Sequence, residues 1–443
     1  MENSRMIAYN ALYDIEVRGK YSNIALGNTL KDSGLSDADR GLVTEIVYGV
    51  IENRYFLEYV IRGFSSIKLS KISPSVKLIL KMGIYQIIML DGVKDFAAVN
   101  ESVELCKRIS KKSSGFVNAI LRNVVRSKES IKPPLKEEGI VEYYSIKYSY
   151  EPWIIEKWLK RYGEDFVEAL LEANAQRPEI YVRTNTLKTS REDLIAELIK
   201  MGIECSQCDI VPEAIRINGM KSIEGNELFR KGYFFIQDIS SMLIGHVASP
   251  DKGMKVLDVC SAPGGKATHI ATLMENTGEV IARDLHRHKL RLIKDNAKRL
   301  GLTNIKAQLM DALFLDEDSM GSFDIVLADV PCSGFGIIRR KPEIKYKQKK
   351  DLECLPQLQR AILENASRYV KKGGLLIYST CTIEDEENIE IIRAFIEESK
   401  EFKLEAIEGI DVDEKSQKSG YLQTFPNTHG MDGFFIAKLR KVR

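Results

Sequence analysis

Lys255-Val-Leu-Asp-Val-Cys-Ser-Ala-Pro-Gly-Gly-Lys266 decides the fold of this chain. Val256 and Val259 lie in a short apolar run that reads as a buried parallel strand. The run breaks at Pro263-Gly264-Gly265, and Lys266-Ala-Thr-His-Ile-Ala-Thr-Leu-Met274 reads as a helix. Strand, glycine turn and helix in that order present backbone to a ligand at the carboxyl end of a doubly wound α/β sheet. Gly264 and Gly265 lack a Cβ, so a ligand can lie against the main chain. The spacing is not G-x-G-x-x-G. Nor is it G-x-x-x-x-G-K-[ST], because only Pro263 and Gly264 stand between Ala262 and Gly265-Lys266. What remains is a nucleoside-type site without a phosphate cradle, a description that S-adenosylmethionine fits. Taken alone, the stretch fits an ordinary strand-to-helix turn equally well.

The downstream sequence repeats the pattern. Gly278-Glu-Val-Ile-Ala-Arg-Asp284 reads as a second strand ending in an acid, the place where ribose hydroxyls are held in such folds. Asn304-Ile-Lys-Ala-Gln-Leu-Met-Asp311 reads as a third, also ending in an acid. Phe323-Asp-Ile-Val-Leu-Ala-Asp329 is a fourth, running on into Val330-Pro-Cys-Ser-Gly334. Gly373-Gly-Leu-Leu-Ile-Tyr-Ser-Thr-Cys-Thr382 is a fifth. Asp284, Asp311, Asp329, Cys332 and Cys381 therefore gather at the carboxyl ends of consecutive predicted strands. One acid at a strand end is usually a cap; recurrence on strand after strand points to a site.

Asp258-Val-Cys-Ser-Ala-Pro-Gly-Gly-Lys266, Asp329-Val-Pro-Cys-Ser-Gly334 and Ser379-Thr-Cys-Thr382 resemble the motifs of the RNA 5-methylcytosine methyltransferases. Over its full length the chain is similar to the bacterial Sun/RsmB family, which methylates a cytosine of small-subunit ribosomal RNA. The resemblance implies an all-helical NusB-like RNA-binding domain over 1–126, a linker over 127–144 and a small helical and α/β RNA-contacting subdomain over 145–232. A Rossmann-like S-adenosylmethionine-dependent methyltransferase domain over 233–443 follows. It assigns Cys260, Ser261, Ala262, Pro263, Gly264, Gly265 and Lys266 to the cofactor loop. Asp284 is assigned to the ribose, Asp311 to the adenine amino group, and Asp329 to the junction of cofactor and base. Asp258, inside the first strand, is expected to order the glycine loop. Ser261 in place of a second alanine, and Val330 between Asp329 and Pro331, are conservative departures.

At 443 residues the chain has length for two or three cores. Its 44% hydrophobic and 29% charged content are those of a globular protein. A net charge of +2 makes any nucleic-acid surface local. No run approaches about 18 apolar residues, so no membrane span is expected. Seven cysteines without framework spacing suit a cytoplasmic location. Cys205-Ser-Gln-Cys208 stands without a second Cys or His pair, and the five histidines, His286 and His288 among them, are expected on exposed helix. No metal site is expected, and the expected state is a monomer.

Up to about residue 126 the periods are helical, with Ile7, Ala11 and Ile15 on one face and Leu35-Ser-Asp-Ala-Asp-Arg40 as a cap-like opening. Arg40, Lys107, Arg108, Lys111, Lys112, Arg122 and Arg126 are either phosphate contacts or a solvated face. Tyr181-Val-Arg-Thr-Asn-Thr-Leu187, a helix from Ser190 to Met201, and Ala214-Ile-Arg-Ile-Asn218 give a β-α-β reading, with Arg183 and Asn185 as its polar contacts or merely exposed. Gln237 and Asp238 are expected beneath the cofactor or RNA site. The basic stretch Ile337-Ile-Arg-Arg-Lys-Pro-Glu-Ile-Lys-Tyr-Lys347 is expected to meet RNA backbone, against the alternative of a plain surface loop. Glu384-Asp-Glu-Glu-Asn388 reads as helix-opening acids, and Gly433-Phe-Phe-Ile-Ala-Lys-Leu439 as a last edge strand pairing antiparallel.

Carbon 5 of cytosine is too weak a nucleophile to attack a methyl sulfonium. A thiolate added at carbon 6 makes carbon 5 enamine-like, and cysteine suits that role. An acid near ring N3 stabilises the adduct, and Asp329, three residues before Cys332, is placed to supply it. By the resemblance, the RNA enzymes attack with the Thr-Cys thiol, here Cys381, and use the Pro-Cys thiol, here Cys332, for proton removal and release. DNA enzymes attack with the Pro-Cys thiol and have no need of Cys381. The expected activity is therefore cytosine-5 methylation of 16S ribosomal RNA. The alternatives are tRNA or another RNA as substrate, or a non-catalytic RNA-binding factor.

Overall fold

The computed structural model describes residues 4–443 except 32 and 221, and they divide into two compact units. The first runs to Gln176 and includes Ile338–Lys349. Seven helices form its front: α1 Ser4–Glu16, α2 Ser22–Lys31, α3 Asp37–Glu52, α4 Arg54–Phe64, α5 Pro74–Ile88, α6 Asp95–Ser110 and α7 Ser114–Ser127. Helix α3 starts where the sequence places a cap: the Ser36 hydroxyl accepts from the Asp39 N–H at 3.2 Å, and Asp37 and Asp39 face the positive end of the helix. Pro74 opens α5, whose Val76, Leu78, Ile79, Leu80 and Ile84 form the centre of the helical core. Three more helices, α8 Ile140–Lys147, α9 Pro152–Tyr162 and α10 Glu164–Ala175, belong to this unit. The sequence placed α9 and α10 in the small subdomain and α8 across the boundary between it and the linker. Trp158, fully buried, lies edge-on to Tyr150.

The second unit holds two sheets. The smaller has β1 Ile180–Thr184, β2 Glu204–Gln207, β3 Ala214–Asn218 and β4 Phe234–Ile236 in the order β2-β3-β1-β4, with α11 Arg191–Lys200 after β1. Both β3 and β4 pair antiparallel with β1, so the unit is not the parallel β-α-β expected. The missing element is β2, a polar Glu-Cys-Ser-Gln strand without a buried residue, which inserts between the helix and β3 and reverses its direction.

The larger sheet contains β5 Lys255–Asp258, β6 Glu279–Asp284, β7 Ile305–Leu309, β8 Phe323–Asp329, β9 Val370–Thr380, β10 Phe402–Leu404, β11 Tyr421–Thr424 and β12 Phe434–Lys441. Its order is β10-β12-β9-β8-β5-β6-β7, with β11 pairing β12. Strands β5 to β9 are parallel, and the near-continuous apolar runs of β5, β6, β8 and β9 suit burial on both faces, whereas β7 at the end of the order has no buried residue. Strand β12 pairs antiparallel with β9, as expected. It is not an edge, because β10 and β11 also pair with it, and five of its eight residues are buried.

Helix α12 Glu227–Arg230 precedes β4, and α13 Ile239–Ala248 leads into β5. Helix α14 Gly265–Leu273 follows β5, and α15 Arg287–Leu300 follows β6, burying Leu290, Ile293, Ala297 and Leu300. From β5 the chain steps outward to β6 and β7, then returns to lay β8 on the other side of β5. That reversal opens a crevice at the carboxyl ends of β5 and β8, where ligands settle in this kind of sheet.

Candidate active site

The loop after β5 is shaped by its acids and glycines. Asp258, fully buried at the strand end, accepts from the Cys260 N–H at 3.3 Å and so orders the loop as expected. Burial, reinforced by the nearby Asp329, pushes its carboxyl up to about 7. Gly264 caps α14 at φ +96°, a left-handed conformation that favours glycine. Asp284 ends β6 and holds two backbone donors, Ala262 N–H at 3.3 Å and His286 N–H at 2.9 Å. Asp311 lies two residues past β7, half-buried, and accepts from the Leu313 N–H at 3.0 Å. The Cys260 thiol is pushed far up by burial and the surrounding acids, so that residue offers backbone rather than thiolate. These groups suit S-adenosylmethionine: carboxylates at two strand ends for hydroxyl and amino groups, and the backbone of the loop between β5 and α14 beside them. Lys266 is engaged with Asp329 rather than presented to a phosphate.

Next to this loop, the ends of β8 and β9 bring the chemical groups together. Lys266 Nζ lies 2.6 Å from one Asp329 oxygen, and the Ser379 hydroxyl donates to the other at 2.8 Å. Burial disfavours the Lys266 charge, but Asp329 outweighs it and the ammonium is held above its ordinary pKa. Three residues past β8 and one past β9, Cys332 Sγ and Cys381 Sγ stand 3.1 Å apart. The hydrogen bond to Cys381, then burial, push the Cys332 thiol well up.

The frame around the two sulfurs includes residues that sequence reading assigned elsewhere. Glu387 is not a helix-opening acid. It sits in a short 3-10 turn, buried, and accepts from the Ser333 N–H at 2.8 Å and from Gln359 at 2.7 Å. Gln359 also donates to the Pro331 carbonyl, and the Ser333 and Thr382 hydroxyls meet at 2.6 Å. Asn388 donates to the Thr382 carbonyl at 3.0 Å. The two cysteine loops are therefore tied to one another through Glu387 and Asn388. A buried glutamate inside an acidic run leaves no signal in composition.

Three other expectations are corrected. Arg183 and Asn185 are not surface contacts but buried. Arg183 donates to the Gly265 carbonyl at 2.7 Å, to the Thr268 hydroxyl at 3.0 Å and to Gln237, so the small sheet grips the start of α14. Asn185 donates to the Gly232 and Leu300 carbonyls. Gln237 is buried and accepts from Arg183, and Asp238 caps α13. The basic stretch after Cys332 does not form a free RNA-facing loop. Within the helical unit Lys345 is buried and donates to the carbonyls of Glu52 and Tyr148, Tyr346 donates to that of Ile51, and Glu343 accepts from Ser22. His269 is buried and His246 half-buried, both against Glu213, whereas His286 and His288 are exposed.

Parallel strands carrying a glycine loop, strand-end acids and two close thiols are the layout of a Rossmann-like methyltransferase domain. Residues 246–440 match the family described as 16S rRNA methyltransferase RsmB/F, residues 2–126 the NusB family, and residues 150–224 the ferredoxin-like domain of RsmF/B-like methyltransferases. The chain is 39% identical over 99% of its length to the probable ribosomal RNA small subunit methyltransferase B of Bacillus subtilis, covering 98% of that protein. It is 31% identical to ribosomal RNA small subunit methyltransferase B of Klebsiella pneumoniae, over 100% of this chain and 99% of that one. The crystal structure of PH0851 superposes with a TM-score of 0.84 at 28% identity, covering 100% of this chain and 99% of its own. NSun6 of Pyrococcus horikoshii, solved with SFG, superposes over 65% of this chain and 97% of its own, with a TM-score of 0.58 at 28% identity. The chain belongs to the RsmB family of S-adenosylmethionine-dependent 16S rRNA cytosine-5 methyltransferases.

Proposed function

We propose that Cys381 is the nucleophile of this methyltransferase, Cys332 its proton-handling partner and Asp329 the acid that steadies the base, with a cytosine of 16S ribosomal RNA as substrate in the cytoplasm. The observation that carries the reading is the 3.1 Å approach of the two sulfurs beside Asp329 at the rim of the glycine loop. The target base must leave its stack to expose carbon 6. The Cys381 thiolate adds there, and Asp329, in its protonated form, gives its proton to ring N3, which turns carbon 5 into an enamine carbon. When bound, S-adenosylmethionine supplies the methyl group that this carbon takes. Cys332 assists removal of the carbon 5 proton, the Cys381–carbon 6 bond then breaks to expel the Cys381 thiolate, and ring N3 returns its proton to Asp329 as the product is released. The cofactor is held by the backbone of Cys260 to Gly265 together with Lys266, by Asp284 at the ribose and by Asp311 at the adenine amino group.

A denaturing gel of the protein with labelled 16S ribosomal RNA and cofactor tests the two roles. Cys381→Ala is expected to abolish methyl transfer and form no covalent complex, since addition comes first. Cys332→Ala is expected to add and methylate but to stall before elimination, leaving a denaturant-resistant adduct. An adduct with Cys381→Ala, or none with Cys332→Ala despite intact RNA and cofactor binding, reverses the assignment.

A further inference from the structure

We propose that Glu213, His246 and His269 form a binding site for a divalent transition-metal ion of the zinc class, joining the small antiparallel sheet to the helices on either side of β5. The three residues come from separate segments: the loop leading into β3, helix α13 and helix α14. No linear motif in the sequence connects them. Their candidate ligand atoms all lie within 4.8 Å of one another. Glu213 Oε1 is 2.5 Å from His269 Nε2 and 3.0 Å from His246 Nε2, while Oε2 is 3.2 Å from His246 Nε2. Tetrahedral zinc with bonds of about 2.0–2.1 Å sets its ligand atoms about 3.3 Å apart, so small side-chain rotations admit an ion.

The donor set is also chemically right. Two imidazole nitrogens and one carboxylate oxygen suit zinc, cobalt or nickel better than magnesium or calcium, which prefer oxygen throughout. Glu213 brings the negative charge that a buried cation requires, and a water completes the fourth position. The two rings stand edge to face, 5.5 Å apart, with both Nε2 atoms turned to one carboxylate. His269 and Glu213 are almost wholly enclosed, at 1% and 8% side-chain exposure, while His246 at 26% leaves an entry path. Gly245 fits the second helix against the site, since a Cβ there would meet His269 Nδ1 at 2.6 Å.

The full-length protein, stripped with a chelator, is titrated with Co²⁺ as the spectroscopic probe and then with Zn²⁺ in competition with a chromophoric chelator. One equivalent of Co²⁺ is expected to give visible ligand-field bands without a thiolate-to-cobalt charge-transfer band. That separates this site from Cys332 with Cys381 and from Cys205 with Cys208. Glu213→Gln and His246→Ala, each checked for the wild-type circular dichroism spectrum, are expected to weaken Zn²⁺ at least about tenfold, the least that loss even of an outer-shell partner commonly costs. Absence of stoichiometric binding, a sulfur charge-transfer band accounting for all the cobalt, or unchanged affinity in both folded variants overturns the proposal. The cluster is then a hydrogen-bonded lock without metal.

Discussion

Asp258 and Asp329 end neighbouring strands and meet different fates. Asp329 has Lys266 and Ser379 to hold its oxygens, whereas Asp258 is fully buried with a single 3.3 Å backbone donor. Its folded pKa is raised from 3.8 to about 7, so its contribution to stability is fully present below the unfolded value and is lost as pH rises from about 4 through about 7. Asp258→Asn keeps an oxygen for the Cys260 N–H and carries no proton to lose. Relative to wild type it is expected to gain on the order of 2–3 kcal/mol between pH 5 and pH 8, from 1.36 kcal/mol per pKa unit. Urea midpoints at several pH values measure this; a constant difference between the two proteins contradicts it. Asp284 gives the matching test of the cofactor. Asp284→Ala is expected to weaken S-adenosylmethionine by about 1.5–3 kcal/mol, typical of hydrogen bonds to a charged group. Unchanged affinity by calorimetry, in a folded variant, removes Asp284 from the site. Asp284 was legible as a strand-end acid and Asp258 as an acid inside the first strand. The protonation of Asp258 was not, because it depends on burial and on Asp329, 71 residues later in the chain.

At the level of elements, legibility followed burial except at β7, which was read as a strand although it has no buried residue. The parallel strands β5, β6, β8 and β9 were readable because burial on both faces leaves unbroken apolar runs. Strand β2 was not, since Glu204-Cys-Ser-Gln207 carries no buried residue and resembles a turn. Strand β12 was readable as a strand, but its neighbours β10 and β11 are too short to announce themselves. The clamp between the small sheet and α14 was likewise hidden, because an arginine on a predicted strand looks like an outward-facing residue. Arg183 serves the Gly265 carbonyl, Thr268 and Gln237 from full burial, and burial pushes its pKa down to about 9. A lysine there lacks the fork to reach all three acceptors. Arg183→Lys is expected to lower the unfolding free energy by about 2–4 kcal/mol, the scale of one or two lost charged hydrogen bonds. It should weaken cofactor binding too, because Gly265 begins the helix that ends the glycine loop. Denaturant midpoints and calorimetry on the same sample read both effects. Loss of stability with full cofactor affinity confines Arg183 to structure.

For the whole molecule, Ile338–Lys349 changes how the role of the helical unit has to be tested. This segment follows Cys332 in sequence yet belongs to the helical unit, where Ile338, Ile344 and Lys345 are buried. Removing residues 1–126 would strip the cover from Lys345 and Tyr346, so a truncated protein would report misfolding as readily as lost RNA contact. Surface charge offers a cleaner probe. Lys107, Arg108, Lys111, Lys112 and Arg122 are exposed along α6, α7 and the turn between them, and Phe96 stands 72% exposed at the start of α6. Exposed cations beside an exposed ring suit phosphates and an unstacked base. The triple substitution Lys111→Ala, Lys112→Ala and Arg122→Ala removes three of those cations without touching the helical core. If they meet phosphates, KM for RNA should rise and the slope of log affinity against log salt should become shallower by about 2–3, at about 0.7–0.9 for each phosphate contact. Cofactor affinity and kcat at saturating RNA should not change. A salt slope equal to wild type places the RNA-binding surface elsewhere and leaves these cations as a solvated face.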